Sequence, residues 1–259
     1  MQSVVYYTDH YVNQLVTQIF SKSLNFEFQR ISNFNKNNNI NFCSYGILRG
    51  TGEAIKSSKN FIYIDHGFFK SSNRTFNKDK STSINELTGY FRVIKNDLYF
   101  NKNYISLDKK RFDSLGISLK DLNKKGEYIL MSEPSEHVLN FLEIPNWKEE
   151  TIKLIKKYTD KKIIIHNKFS ELSLNDLMRN AFAFVSCQST AAFKAVSEGV
   201  PAYFTHQSLS KYGSLENIED RNLNYDLLYT AANSQWKLKE FFSDEFKCYL
   251  DNISHSWQV

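Results

Sequence analysis

At 259 residues, with 41% hydrophobic and 24% charged residues, the chain has the balance of a globular protein and room for two modest domains or one large one. Its formal charge of +5 is uneven: residues 1–125 carry 19 Lys and Arg against 10 Asp and Glu, a net of +9, and the remainder 14 against 18, a net of −4. That split points to a polyanion at the first half or to a solvated basic surface, while no apolar run approaches the ~20 residues of a membrane span and Met1–Asp9 lacks the basic-then-apolar pattern of a signal peptide.

Cys43, Cys187 and Cys248 lie far apart with no Cys-x-x-Cys pair. This excludes a zinc site or disulfide framework and predicts three small buried thiols in a reducing, cytoplasmic setting. In chain order, Val4–Tyr7 reads as a first strand. Val12, Leu15, Val16, Ile19 and Phe20 recur at helical spacing. Asn33–Asn41 reads as a loop, and Phe42–Leu48 as a strand ending in Arg49-Gly50-Thr51-Gly52. Phe61–Ile64 is a continuous apolar strand of the kind buried on both faces, ending in Asp65-His66-Gly67. Residues 70–86 are a long polar connection without periodicity.

The second half has a clearer rhythm. Strands Tyr128–Met131, Lys162–Ile165, Ala181–Val185 and Ala202–Phe204 alternate with helices. Asn146, Ser173 and Ser189 stand at the helix starts, and Gly199 closes the helix Thr190–Glu198. This predicts an α/β fold with a doubly wound parallel sheet, a domain boundary near Lys124–Gly126, and two terminal helices, Gln235–Phe242 and Asp244–Ile253. The expected parts are 1–125, 126–233 and a helical tail, 234–259, packing back on the first lobe.

Ligands of open parallel sheets bind beyond the carboxyl ends of the strands, and four such ends are polar here. The turn Ser186-Cys187-Gln188-Ser189-Thr190 enters a helix N-terminus, a geometry that binds phosphate and that also serves as an ordinary cap. His166-Asn167-Lys168 brings a cation that can neutralise a diphosphate leaving group. Ser132-Glu133-Pro134-Ser135 is a further hydroxyl-bearing loop. In the first half, Asp65 or His66 is placed to take a proton from an acceptor hydroxyl. Asp65 is the stronger candidate for an inverting enzyme, because a carboxylate is ionised at neutral pH without tuning. Arg49, Arg74, Arg92 and Lys95 form an expected phosphate path for an anionic acceptor. The chain has no Asp-x-Asp pair, so a carboxylate clamp for a metal on a nucleotide sugar is not expected.

The run FVSCQSTAAFKAVSEGVPAYF resembles the donor segment of glycosyltransferases of the GT-B type, and the order of motifs from YIDHGFF to NSQWKLKEFF looks like small phage-encoded proteins of that type. DHGF is also distantly similar to the EDGF-type motif of capsule-polysaccharide Kdo transferases. The resemblance covers roughly residues 44–245. It implies a GT-B-like fold of two Rossmann-like lobes with a central donor/acceptor cleft. It further implies an enzyme that uses a nucleotide sugar as substrate, and the missing Asp-x-Asp clamp makes a metal-independent reaction with no required cofactor the expectation. By that resemblance Ser132, Ser135, His166, Lys168, Gln188, Ser189 and Thr190 surround the donor phosphates, and Asp65 or His66 faces the acceptor. The basic first half makes DNA the expected partner, with a hydroxymethylated pyrimidine as acceptor, in the host cytoplasm if phage-encoded. A bacterial surface glycan, or a non-catalytic nucleic-acid-binding role on the same fold, stays open beside it.

Overall fold

The computed structural model describes residues 2–71, 89–101, 104–167 and 169–254. Most of the connection expected over 70–86, with Arg74, lies outside them, as does Lys168. In chain order the described residues form β1 (Gln2–Tyr7), α1 (Tyr11–Leu24), β2 (Glu27–Arg30), β3 (Ile40–Tyr45), α2 (Thr51–Ser57), β4 (Asn60–His66) and β5 (Tyr90–Lys95). Next come α3 (Lys110–Ser114), β6 (Tyr128–Ser132), α4 (Glu136–Leu142), α5 (Trp147–Ile155), β7 (Lys162–His166), α6 (Leu174–Met178) and β8 (Ala181–Ser186). The chain finishes with α7 (Ala191–Ser197), β9 (Ala202–Phe204), α8 (Gln207–Ser210), α9 (Tyr225–Asn233), β10 (Gln235–Lys237) and α10 (Asp244–Ser254).

The chain divides into two compact units, Met1–Tyr104 with Ala231–Val259 and Ile105–Thr230. The division therefore falls at Tyr104/Ile105 and not at the basic turn Lys124–Gly126. The reason is local bonding. Lys120 N donates to Ser197 O, Asn123 N to Gly199 O and Glu127 N to Asn180 O, each at 2.9 Å, so this stretch is tied to the second unit before β6 begins. Gly199 is required there: its φ is +81°, and a Cβ would run into the Asp121 carbonyl.

The first unit holds a six-stranded sheet in the order β10-β5-β4-β3-β1-β2. β1 to β4 are mutually parallel, while β5 runs antiparallel to both β4 and β10. The winding reverses between β1 and β3. α1 buries Leu15, Val16 and Phe20 and ends at Asn25, which takes the left-handed conformation (φ 53°). Its apolar stripe meets Val5, Ile64, Phe91 and Val93 of the sheet and Trp236, Phe241 and Phe246 of the chain's last segment. Phe20 and Phe241 meet edge-to-face at 5.5 Å, and Trp236 and Phe246 at 5.2 Å. Such pairs contribute about 0.5–1.5 kcal/mol each beyond the area they bury.

The helix expected over Gln235–Phe242 is instead a three-residue strand followed by a 3₁₀ turn, Leu238–Phe242. Pairing with β5 decides the strand, and the Gln235 Oε1 accepts from Phe69 N at 2.9 Å. Glu240 then accepts from Lys237 N at 2.6 Å and starts the turn. Cys43 and Cys187 are buried unpaired thiols, but Cys248 is exposed on α10, a correction to the reading of three buried cysteines.

The second unit holds a wholly parallel sheet in the order β7-β6-β8-β9. All six residues of β8 are buried, as an apolar run between two neighbouring strands requires. Ile129, Met131, Phe182, Val185 and Trp147 centre its core. Ser173 caps α6 by accepting from Asp176 N at 3.2 Å. Here the winding reverses between β6 and β8. Among the described residues no helix is long and apolar enough to cross a membrane.

Candidate functional site

The switch between β6 and β8 is where a parallel sheet opens a crevice. Strand register puts Ser132 beside both His166 and Ser186, with Phe204 next along the row. The sequence-predicted residues Ser132 and His166 thus stand side by side at one sheet edge, with the Gln188–Thr190 turn following on the third strand. Ser132 and His166 are half-buried. Glu133 organises the row. Its N–H donates to His166 O at 2.9 Å, its carboxylate accepts from Asn167 Nδ2 at 3.1 Å, and Lys148 lies 3.8 Å away. Ser135 is exposed at the start of α4 and makes no side-chain capping bond.

The turn into α7 is more self-contained than an open cradle of N–H groups. Ser186 Oγ accepts from Ser189 N, and Ser189 Oγ from Ala191 N, both at 3.2 Å. Two of the N–H groups expected to face a phosphate are therefore bonded within the turn. Thr190 is exposed at the helix start without a side-chain capping bond. The Gln188 amide is buried, and neither its oxygen nor its nitrogen makes a hydrogen bond with the described residues.

Beside this edge is a pocket of about 380 Å³. Its walls are the 142–154 stretch, with Ile144 and Trp147, and the ends of β8 and β9, with Cys187, Thr205 and His206. Trp147 Nε1 donates to Thr205 Oγ1 at 2.6 Å, locking the indole against the strand end. His206 Nδ1 lies 2.9 Å from Ser208 Oγ. Burial pushes the Cys187 thiol up to about 11, despite a hydrogen bond from Thr205, and so favours the protonated thiol at neutral pH. Thr205 and His206 were missed from the sequence although the signal was present: Ala202–Phe204 is a strand, and its carboxyl end is as polar as the other three.

In the first unit the carboxyl edge carries Tyr45, His66 and the Gly46–Gly50 turn. Asn13 spans the β1/β3 switch, accepting from Thr8 N at 2.8 Å and donating to Tyr45 O at 2.6 Å. Arg49 (φ 60°) is exposed between Gly46 and Gly50, which are also left-handed. The Thr51 hydroxyl, 2.9 Å from Gly46 O and 2.8 Å from Leu48 O, closes that turn.

His66 ends β4. Its Nε2 lies 2.9 Å from Tyr45 Oη, and its ring stacks on Phe91 at 6.4 Å between centroids. Gly67 follows because β4 and β5 close together there: a Cβ would strike Tyr90 and the Gln235 amide.

Asp65 has different surroundings. Arg92 Nη2 donates to its carboxylate at 3.0 Å, Tyr63 Oη at 2.6 Å and His66 N at 2.8 Å. Burial alone would raise the carboxyl, but the Arg92 charge and the Tyr63 hydroxyl outweigh it and hold Asp65 below the usual carboxylate range. A carboxylate so held is a poor proton acceptor. Arg92 itself is 4% exposed, seated against the Tyr63, Phe68 and Tyr99 rings at 5.5, 5.6 and 4.8 Å. Lys95 is 5% exposed and sits at the opposite end of β5 from Tyr90; burial lowers its ammonium to about 8. Of the four residues expected along a phosphate path, Arg92 and Lys95 are thus interior, Arg74 lies outside the described residues, and Arg49 is on the surface.

No known sequence family matches the chain, and no curated protein matches it. Among solved structures it is similar to Thermosulfurimonas dismutans KpsC, a beta Kdo 2,7 transferase, with a TM-score of 0.51 and 12% identity over 95% of this chain and 100% of that one. The wall teichoic acid polymerase TagF also aligns, at TM-score 0.23 and 11% identity, over 100% of this chain and 90% of that one. The fold is α/β and GT-B-like, shared with a Kdo transferase at a sequence identity too low to carry more than architecture.

Proposed function

We propose that the chain is a glycosyltransferase that moves a sugar from a nucleotide-activated donor to a hydroxyl acceptor. The observation that carries this reading is the row Ser132, His166 and Ser186 at a topological switch, beside a pocket of nucleoside size. In this reading Ser132, Ser135, His166, Lys168 and the Gln188–Thr190 turn surround the diphosphate. The Trp147–Thr205 wall takes the donor's ring. His66 is the base, because the carboxylate of Asp65 is already held by three donors.

The acceptor we propose is a saccharide hydroxyl of a surface glycan. Interior positions for Arg92 and Lys95 remove two charges from a DNA phosphate path, and the GT-B-like neighbour is itself a beta Kdo 2,7 transferase. The second reading, a phage enzyme that glycosylates a hydroxymethylated pyrimidine in DNA, keeps the net +9 of residues 1–125 as its support. Incubation with a panel of nucleotide sugars, against oligosaccharides and hydroxymethylated duplexes, separates them by mass gain. A gain on the duplex alone, with binding that falls steeply in salt, replaces the glycan with DNA.

Two further outcomes are expected. His166→Ala should weaken nucleoside diphosphate binding about 10–100-fold, the loss of one hydrogen bond to a charged group; an unchanged Kd in calorimetry removes His166 from the donor site. The reaction is also proposed to be metal-independent, since the chain has no Asp-x-Asp clamp. Transfer should then persist in excess EDTA, and activity lost there but restored by Mg²⁺ or Mn²⁺ contradicts it.

A further inference from the structure

Asp65 and Arg92 face each other across the β4–β5 ladder, as do His66 and Phe91 one step on. Side chains alternate along a strand, so the Asp65–Arg92 pair and the His66 imidazole stand on opposite faces of the sheet. The pair nevertheless grips His66 through its main chain. Asp65 Oδ1 accepts from His66 N at 2.8 Å, and Arg92 Nη1 donates to His66 O at 3.3 Å. The two side chains bind one another at 3.0 Å, and Tyr63 Oη fixes the same carboxylate oxygen at 2.6 Å. Arg92 cannot swing away, because three aromatic rings enclose it.

Stability gives no reason for such a pair at this place. An interior ion pair recovers little more than its own desolvation, and a well-packed apolar pair of similar volume is commonly as stable. The Arg92 Nε, buried without a hydrogen bond, adds to the cost. What an apolar pair could not do is hold the N–H and the carbonyl of His66 together.

We infer that Asp65 and Arg92 are positioning residues: their ion pair fixes the His66 main chain from one face of the sheet and so sets the imidazole against Tyr45 and Phe91 on the other. This rests on the reading of His66 as the base. A base displaced by about 1 Å can lose on the order of 10²-fold in rate, so the pair governs kcat without touching substrate.

The test uses two variants of the full chain, Arg92→Lys, which keeps the charge but not the two-pronged guanidinium, and the double replacement Asp65→Leu with Arg92→Met, which packs the same space without charge. The first readout is the His66 ring signal in ¹H–¹³C NMR, assigned with His66→Gln and displaced by the Phe91 and Tyr45 ring currents. The second is steady-state kinetics. In both variants the His66 signal is expected to move toward that of a freely rotating imidazole, and kcat to fall about 10²-fold with the donor KM unchanged. A His66 signal at its wild-type position in Arg92→Lys overturns the proposal, whether or not the double variant folds. A moved signal with unaltered kcat leaves the positioning in place and sinks the role of His66 as base, so the two failures are told apart.

Discussion

Replacing His66 with alanine is expected to lower the rate of glycosyl transfer about 10²–10⁴-fold, with nucleotide binding by the second unit unchanged. A sugar or hydroxymethyl hydroxyl keeps its proton at neutral pH, so the group that takes it must accept a proton near that pH. An imidazole has that property by nature. Asp65 does not, because Arg92 and Tyr63 hold its carboxyl low against the opposing pull of burial. Tyr45 Oη, 2.9 Å from Nε2, and the Phe91 ring restrict the imidazole to one orientation. Since His66 is half-buried at a strand end, its removal should cost little stability. A kcat within threefold of wild type, measured with saturating donor, excludes His66 as the base.

The second large effect is on stability. Arg92→Ala should destabilise the first unit by about 3 kcal/mol, the lower end of the range because the Asp65 side chain keeps 23% exposure and two hydrogen-bond donors, by leaving a partly buried carboxylate without its counter-ion. The pH dependence has a definite sign. In the wild type the Asp65 carboxyl is lowered by folding. Its contribution is therefore complete above the unfolded value of about 4 and is lost as pH falls through the lower folded value. In the variant the Arg92 charge is gone and burial is opposed only by the Tyr63 hydroxyl and His66, so the carboxyl stands higher than in the wild type and less of its pH-dependent stability is left to lose in acid. The gap between the two proteins should narrow as pH falls from 7 toward 4. Urea unfolding at both pH values measures it, and a gap that is constant or widens in acid shows that Arg92 does not hold Asp65 ionised.

Much of the fold could be read from the sequence, because interior parallel strands announce themselves as apolar runs. Phe61–Ile64, Ala181–Val185 and Ala202–Phe204 all lie within strands, and the cap Ser173-Asp176 forms as its spacing implies. β10 was hidden for the opposite reason. Three residues carry no periodicity of their own, and only the partner strand β5 makes them a strand. α4 went unrecognised because Pro134 and the hydroxyls around it read as loop, whereas Val138, Leu139 and Leu142 supply a single apolar stripe too short to stand out.

The candidate site was legible where a one-dimensional rule sufficed. Strand ends can be found in sequence, and register then aligned Ser132, His166 and Ser186. It was illegible where it depended on antiparallel register. Asp65 and Arg92 are partners across a ladder whose connecting segment gives no hint of the pairing. For the same reason Arg92 and Lys95 look like surface charges in sequence and are interior in the fold.

Transfer from a nucleotide-activated sugar with His66 as the proposed base leaves two products that can be weighed. The most direct measurement is mass spectrometry of acceptor and nucleotide after incubating wild type and His66→Ala with a nucleotide-sugar panel. In the wild type one donor is expected to yield free nucleotide together with an acceptor heavier by one sugar. In His66→Ala both products should fall at least about 10²-fold. Equal product from the two proteins, or no consumption of any nucleotide sugar by the wild type with oligosaccharide or duplex acceptors, contradicts it.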